Sequence, residues 1–295
     1  MIYHISYDKR SNGNLGGVEF FGYYLEKAVG CRLIVPSEVS SCSFKDGDMI
    51  IGDGSFVCGF DSRRFKVVSV CHGLWYNFAL RTGKLKDFQG EAEKQHQIWK
   101  NPNIHVIACS YADRKYIKRY CNRDVDRVIL HGIDTELYAP VSKLKTNNPL
   151  LVMHSATNYC KEALGKLGSI GEKLEAKGYR FEALNKWDGR DYERYQEADI
   201  YINCSLNEGN SFAVLGAMSC NVPMVGSCTG LLEDTDFAGY NVGEILSIDA
   251  SADDYVEAVD KVAKNLSSYN PRAWVLQNAT FEIFKKNWLD FLSTL

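Results

Sequence analysis

One stretch, residues 198–223 (ADIYINCSLNEGNSFAVLGAMSCNVP), restricts the fold of this chain more than any other. It begins with an apolar run typical of a buried strand, Ile200–Ile202, continues through a polar loop that contains Glu208, and ends in a small-residue helix, Phe212–Cys220. In α/β proteins such a unit places its loop at the carboxyl end of a parallel sheet, where ligands bind. The helix start favours phosphate, and the Glu208 carboxylate can accept hydrogen bonds from ligand hydroxyls.

Strand-like and helix-like patterns alternate along both halves of the chain, with a polar, non-periodic stretch at 141–148 between them. This alternation predicts the α/β fold class, with two Rossmann-like, doubly wound domains that face a cleft. We expect residues 1–145 to form the first domain and residues 146–295 the second. Apolar spacing near the end predicts one long helix, Pro271–Leu295, that folds back across the molecule, and a short strand is predicted at Leu246–Asp249.

Charge is distributed unevenly between the two halves. The chain has a formal net charge of −3; residues 1–145 contain 21 lysines and arginines against 16 acidic residues, and the remainder contains 13 against 21. A basic first half favours an anionic partner there, and ordinary surface scatter explains the difference equally well.

The ten cysteines are scattered without a CxxC motif or a His/Cys cluster in the sequence. This spacing favours free thiols in a reducing compartment over disulfides or zinc. The first residues open on a strand and do not resemble a signal peptide, and no apolar run approaches the ~20 residues that span a bilayer. These features predict a cytoplasmic protein, with the inner membrane surface as an alternative place.

Two features of the first half mark the same edge of the predicted sheet. His72 follows the strand-like run Lys66–Cys71, and the pair Gly16–Gly17 lies between a strand and a helix pattern. A glycine pair is common in ordinary turns, and a loop histidine is often structural. Each feature alone therefore leaves a structural role open.

Several segments, taken together, resemble a known family. EGNSFAVLGAMSCNVPMVGSCTGLLED (208–234) resembles the donor-site signature of the family-4-like, retaining GT-B glycosyltransferases (glycosyl transferases group 1). HGIDTELYAP (131–140) resembles that family's motif at the end of the first domain, and IACSYADRKYI (107–117) resembles one of its helix starts. CHG (71–73) and LGG (15–17) fall where the family has its histidine and its glycine loop.

The resemblance implies a nucleotide-sugar donor, held mainly by the second domain. It implies catalytic roles for Glu208, which would bind the hydroxyls of the donor sugar, and for His72, which would contact that sugar near the reacting carbon. The residues that it implies for the rest of the donor site are Gly16, Gly17, Lys161, Gly209, Asn210, Ser211 and Phe212.

One departure from the family concerns the nucleotide ribose. The family's second acidic residue, eight positions after the first, is here Gly216. Glu233 is the nearest spare carboxylate in the sequence, and a helix N-terminal acid is the alternative interpretation of that residue. The departure leaves three hypotheses open: an active enzyme with a degenerate site, an unusual donor, or an inactive paralogue.

These observations predict a metal-independent, retaining glycosyltransferase without a cofactor, whose donor substrate is a nucleotide-sugar of the UDP-sugar type. The basic first half suits an anionic acceptor such as lipopolysaccharide, a glycolipid or a hydroxylated base in DNA. The alternatives are a non-catalytic sugar-nucleotide binder and an epimerase of the same fold. The sequence leaves the oligomeric state open.

Overall fold

The computed structural model describes residues 1–7, 16–141, 148–155, 161–184, 191–233 and 235–295, with only the backbone for residues 155 and 161–164. It divides into two compact units. Unit 1 comprises Met1–Gly132, Asn207–Asn210 and Phe281–Leu295, and unit 2 comprises Ile133–Leu206 and Ser211–Thr280. The predicted boundary at 145/146 lies outside the described residues and stays a prediction.

Unit 1 is built on a parallel six-stranded sheet. Its elements are β1 (Ile2–Ile5), α1 (Gly17–Val29), β2 (Arg32–Ile34), β3 (Met49–Asp53), β4 (Lys66–Cys71), α2 (Trp75–Arg81), α3 (Leu85–Lys100), β5 (Ile104–Ala108), α4 (Tyr111–Cys121) and β6 (Arg127–Val128). The strand order is β2-β1-β3-β4-β5-β6. The four inner strands are rich in isoleucine and valine and their centres are buried, as expected for a sheet that is covered on both faces.

Unit 2 is built on a parallel five-stranded sheet. Its elements are β7 (Leu151–Ser155), α5 (Lys161–Ala176), β8 (Arg180–Leu184), α6 (Asp191–Glu197), β9 (Ile200–Asn203), α7 (Phe212–Ser219), β10 (Met224–Ser227), β11 (Gly243–Leu246), α8 (Ala252–Ala263) and α9 (Pro271–Asn278). The strand order is β11-β10-β9-β7-β8. The hydrophobic core of the unit includes β9 and the wholly buried α7.

The prediction of one long C-terminal helix is wrong, because the chain leaves the helical conformation at Ala279. The Ala279 carbonyl accepts a hydrogen bond from the Ile133 N–H (2.9 Å), and Thr280 forms a parallel bridge with Ile133. A second helix, α10 (Phe281–Leu292), follows and belongs to unit 1. There the fully buried Trp288 lies against Phe21 of α1, with 6.0 Å between the ring centroids. The predicted return of the C-terminal helix is confirmed.

The strand predicted at Leu246–Asp249 begins earlier, as β11 at Gly243. Gly243 has a φ of +138°, and a Cβ there would lie 2.0 Å from the Met224 carbonyl oxygen. Only glycine can therefore start this edge strand in register with β10, a constraint on the backbone that the apolar pattern does not carry.

Candidate functional site

Each of the two sheets reverses its strand order at one point. In each sheet the first strand lies between the second and the third in chain order, so the reversals fall at β1/β3 in unit 1 and at β7/β9 in unit 2. Loops that leave neighbouring strands in opposite directions open a crevice at their carboxyl ends, where α/β proteins bind ligands. His72 and the Glu208 loop, predicted from sequence, both follow the carboxyl ends of strands at or beside these points.

A buried carboxylate joins two histidines at the reversal of unit 1. Asp53 ends β3, and its Oδ1 lies 3.0 Å from Nε2 of His4 and 2.9 Å from Nε2 of His72. His4 is fully buried within β1, whereas 14% of the His72 side chain is exposed to solvent. The sequence singled out His72 and missed the other two residues.

The charge of this group follows from its surroundings. Burial alone would raise the pKa of Asp53, but the charges of His4 and His72 and their hydrogen bonds hold it well below its ordinary value. An ionised carboxylate can only accept hydrogen bonds. Both imidazoles therefore donate from Nε2, and whenever His72 is uncharged its Nδ1 is the acceptor nitrogen.

Two further side chains lie close to the His72 ring. The Cys109 Sγ, at the end of β5, is 3.6 Å from that nitrogen, and the His131 ring centroid is 5.4 Å from the His72 centroid. Burial raises the pKa of the Cys109 thiol well above its ordinary value, as do the charges of Asp113 and Asp53. Burial, together with the charge of His72, lowers the pKa of His131 well below its ordinary value.

The segment Asn207–Asn210 lies against this group and is part of unit 1. The Asn210 Nδ2 donates a hydrogen bond to the Cys109 carbonyl (3.2 Å). A Cβ on Gly209 would lie 2.6 Å from the His72 carbonyl carbon, so only glycine allows this approach. The structure thus brings three predicted site residues, Glu208, Gly209 and Asn210, next to His72, with Glu208 partly buried.

The predicted glycine pair starts α1, and it is already capped by an acid. Gly16 is the N-cap residue, and its N–H donates to Oε2 of Glu19 (3.0 Å). Gly17 is the first helical residue, and both glycines are exposed. An anion that binds these N–H groups would take the place of the Glu19 carboxylate.

The remaining predicted residues lie in unit 2. Ser211 caps α7, where its hydroxyl accepts a hydrogen bond from the Val214 N–H, and Phe212 is buried at the helix start. Glu233 is buried at the end of the short turn Gly230–Leu232 rather than at a helix start, so the helix-dipole interpretation is wrong. Lys161 begins α5, and its side chain lies outside the described residues.

Gly216 is packed tightly where the resembled family carries its second acid. A Cβ at this position would lie 2.9 Å from Cε2 of Tyr195 and 3.3 Å from Cε1 of Tyr138. Both tyrosines are buried, so their rings fill the space that a side chain at 216 would need. A side chain as large as that of an acidic residue would therefore not fit here without a shift of these rings.

Gly216→Ala is expected to lower the free energy of unfolding by about 1–3 kcal/mol, because the new methyl group overpacks this contact. Urea denaturation measures the change. Gly165→Ala is the matched control: it lies in helix α5, and a Cβ there would meet no atom within 4 Å. Equal stability of Gly216→Ala and the wild type would contradict the close packing.

The cysteines and the helices of the described part of the chain bear on two further predictions. The nine cysteines that lie within it all carry free thiols, as predicted. No helix in that part is long and apolar enough to cross a membrane.

Comparisons with known proteins identify the fold. No protein-family model matches the chain, and no curated protein sequence does. The sucrose-phosphate synthase of Thermosynechococcus elongatus matches with a TM-score of 0.77 at 14% identity, covering 99% of this chain and 98% of that one. Anabaena HepE, solved in complex with UDP-glucose, matches with a TM-score of 0.70 at 13% identity, covering 100% and 99%.

A third match is WaaB, a lipopolysaccharide outer core galactosyltransferase, with a TM-score of 0.64 at 12% identity and coverage of 100% and 99%. At such identities the likeness shows the fold. The predicted α/β fold class of two Rossmann-like units is confirmed.

Proposed function

We propose that this chain transfers a sugar from a nucleotide-sugar donor to a hydroxyl acceptor with retention of configuration. The observation that carries the proposal is the position of Glu208–Asn210 against His72, since two separate motifs of the resembled family meet there. HepE in complex with UDP-glucose and the galactosyltransferase WaaB have the same fold, which supports a UDP-sugar as donor.

In this proposal the protein acts mainly by placing charge. Glu208 accepts hydrogen bonds from the sugar hydroxyls, and His72 exchanges its weak Cys109 contact for a sugar hydroxyl. In unit 2 the helix start at Ser211–Phe212 binds phosphate oxygens and Lys161 supplies a cation, and in unit 1 the N–H groups of Gly16 and Gly17 are the candidate phosphate donors. Fixed donors at a leaving diphosphate lower the barrier without rearranging during the reaction.

The absent ribose carboxylate needs a substitute in this scheme. Glu233 is a buried carboxylate in unit 2, and we assign it the hydrogen bond to the ribose. The packing at Gly216 also favours a second candidate function, a sugar-nucleotide binder without transfer. A glycine at this position cannot make the contact to the nucleotide ribose that an acidic side chain would make.

A panel of donors tests the proposal. The protein is incubated with UDP-glucose, UDP-galactose and other nucleotide-sugars, with cell extract as the source of acceptor, and products are read by mass spectrometry. A transferase releases UDP and yields a heavier acceptor, an epimerase interconverts the sugars and keeps the nucleotide, and a binder does neither. Proton NMR of the product's anomeric centre then distinguishes retention from inversion.

The proposed acceptor is anionic, although the basic residues of unit 1 do not contribute equally to such a site. Arg114 forms a two-pronged ion pair with Asp124 (2.8 Å for each bond), and Arg63 and Arg64 pair with acids of their own. Lys86, exposed at the start of α3, is the better candidate for contact with an anion.

We expect the KM for an anionic acceptor to rise several-fold between about 50 and 200 mM salt, since screening weakens exposed charge contacts. Lys86→Glu should raise that KM at low salt and flatten the salt dependence. The Arg63→Glu variant, whose target arginine is already paired with Asp61, should change it less. A KM that is insensitive to salt and to Lys86 would contradict an anionic acceptor at this surface.

A further inference from the structure

The side chains beside Asp53 form a cluster of potential metal ligands. His72, Cys109 and His131 each offer one ligand atom, and these atoms all lie within 4.8 Å of one another. They follow three neighbouring strands of unit 1, β4, β5 and β6, at the carboxyl end of each. Two imidazole nitrogens and a sulfur are the donors that zinc and other thiophilic divalent cations prefer.

The separation of the first pair fits coordination. Zinc binds sulfur at about 2.3 Å and imidazole nitrogen at about 2.0–2.1 Å, so two such ligands in a tetrahedron lie about 3.5 Å apart. The Cys109 Sγ and the His72 Nδ1 are 3.6 Å apart. The distance between these two atoms is therefore the one that a shared cation requires.

Asp53 prepares His72 for this role. Because the carboxylate accepts a hydrogen bond from Nε2 of His72 (2.9 Å), the lone pair of the neutral ring lies on Nδ1, toward Cys109. Carboxylate, histidine and metal in this order are the usual outer-sphere arrangement of zinc sites, which fixes the ring and raises its basicity.

We propose that unit 1 binds a zinc-type divalent cation through the Nδ1 of His72, the Sγ of Cys109 and a ring nitrogen of His131. Binding releases the thiol proton of Cys109 to solvent and leaves a thiolate ligand. Three protein ligands leave a fourth position for a water molecule or another small ligand, and His72 is the partly exposed member of the set.

The site has a consequence that rests on the proposed function. We expect transfer to proceed without a metal, and the same Nδ1 cannot bind a cation and a sugar hydroxyl together. Zinc should therefore inhibit transfer, and a chelator should restore it. Because cation binding is measured without donor or acceptor, failure of the metal site and failure of the proposed function are distinguishable.

Titration with Co²⁺ under a non-thiol reductant tests the site on the full chain. The wild type should develop the thiolate-to-cobalt band in the near ultraviolet and the strong visible bands of four-coordinate cobalt, and Zn²⁺ should remove both. Cys109→Ser should lose the thiolate band, and His131→Asn should weaken the visible bands. Asp53→Asn should bind about 10–100-fold more weakly, as expected for an outer-sphere partner.

Cys121→Ser is the matched control, since Cys121 is a buried free thiol of the same unit outside the set; it should bind as the wild type does. Far-ultraviolet circular dichroism verifies that each variant is folded. A wild type without a thiolate band, or a band that persists in Cys109→Ser, would overturn the proposal and leave the 3.6 Å contact as an S–H···N hydrogen bond.

Discussion

Glu208→Gln is expected to reduce kcat/KM for the nucleotide-sugar by at least about 100-fold. Glutamine keeps the shape of the side chain but replaces a charged acceptor by a neutral amide. Hydrogen bonds to charged groups contribute about 1.5–3 kcal/mol each, and a carboxylate that accepts from two sugar hydroxyls would lose most of two such bonds. Each 1.36 kcal/mol is tenfold in rate. Release of UDP under initial-rate conditions measures the change.

The fold should survive this substitution, since Glu208 lies in a loop and is only partly buried. Thermal unfolding of the variant should therefore match that of the wild type. Glu38→Gln, on an exposed turn of unit 1, is the control and should keep full activity. Unchanged turnover by Glu208→Gln would remove the assignment of this residue to the donor sugar.

Asp53→Ala is expected to lower the free energy of unfolding by about 3–5 kcal/mol, which is the usual result of removing one partner from a buried charged group. The substitution leaves two N–H donors, on His4 and His72, without the carboxylate oxygen that both now share. His4 is fully buried, so solvent cannot replace that oxygen. Urea denaturation measures the effect.

A matched control lies in the same unit. Asp46 pairs with Arg64 at 2.8 Å, but 74% of the Asp46 side chain is exposed. Asp46→Ala should therefore cost no more than about 1 kcal/mol. If both variants lost the same stability, the Asp53 group would be an ordinary polar contact and not a buried ionic one.

The milder change Asp53→Asn distinguishes a role of Asp53 in positioning His72 from a role in the stability of the fold. Its amide preserves the volume of the side chain, but the group that faces the two Nε2–H donors is no longer a charged acceptor. We expect kcat to fall more than KM changes, because His72 would no longer be held in one tautomer and orientation. A purely structural role for Asp53 would lower the unfolding midpoint and leave kcat of the folded enzyme unchanged.

The elements of the candidate site differ in how far the sequence predicted them. The strand Ile200–Ile202, the polar loop and the helix at Phe212 were predictable, because apolar runs, glycine and a capping serine act over a few neighbouring residues. The strand before His72 carried the same local signal. By contrast, the break in the C-terminal helix was not predictable. It depends on the bonds between Ile133 and the backbone at Ala279–Thr280, and no local sequence pattern indicates them.

The sequence by itself determined the alternation of strands and helices, the loops at which Glu208 and His72 lie, and the absence of an acid at Gly216. These properties depend on residue type and short-range spacing. Tertiary structure alone decided that His4, Asp53, Cys109 and His131 surround His72, because the order of parallel strands brings together positions that lie up to 127 residues apart in the chain. It also decided that the space beside Gly216 is filled by tyrosine rings, since close packing is set by neighbours in space.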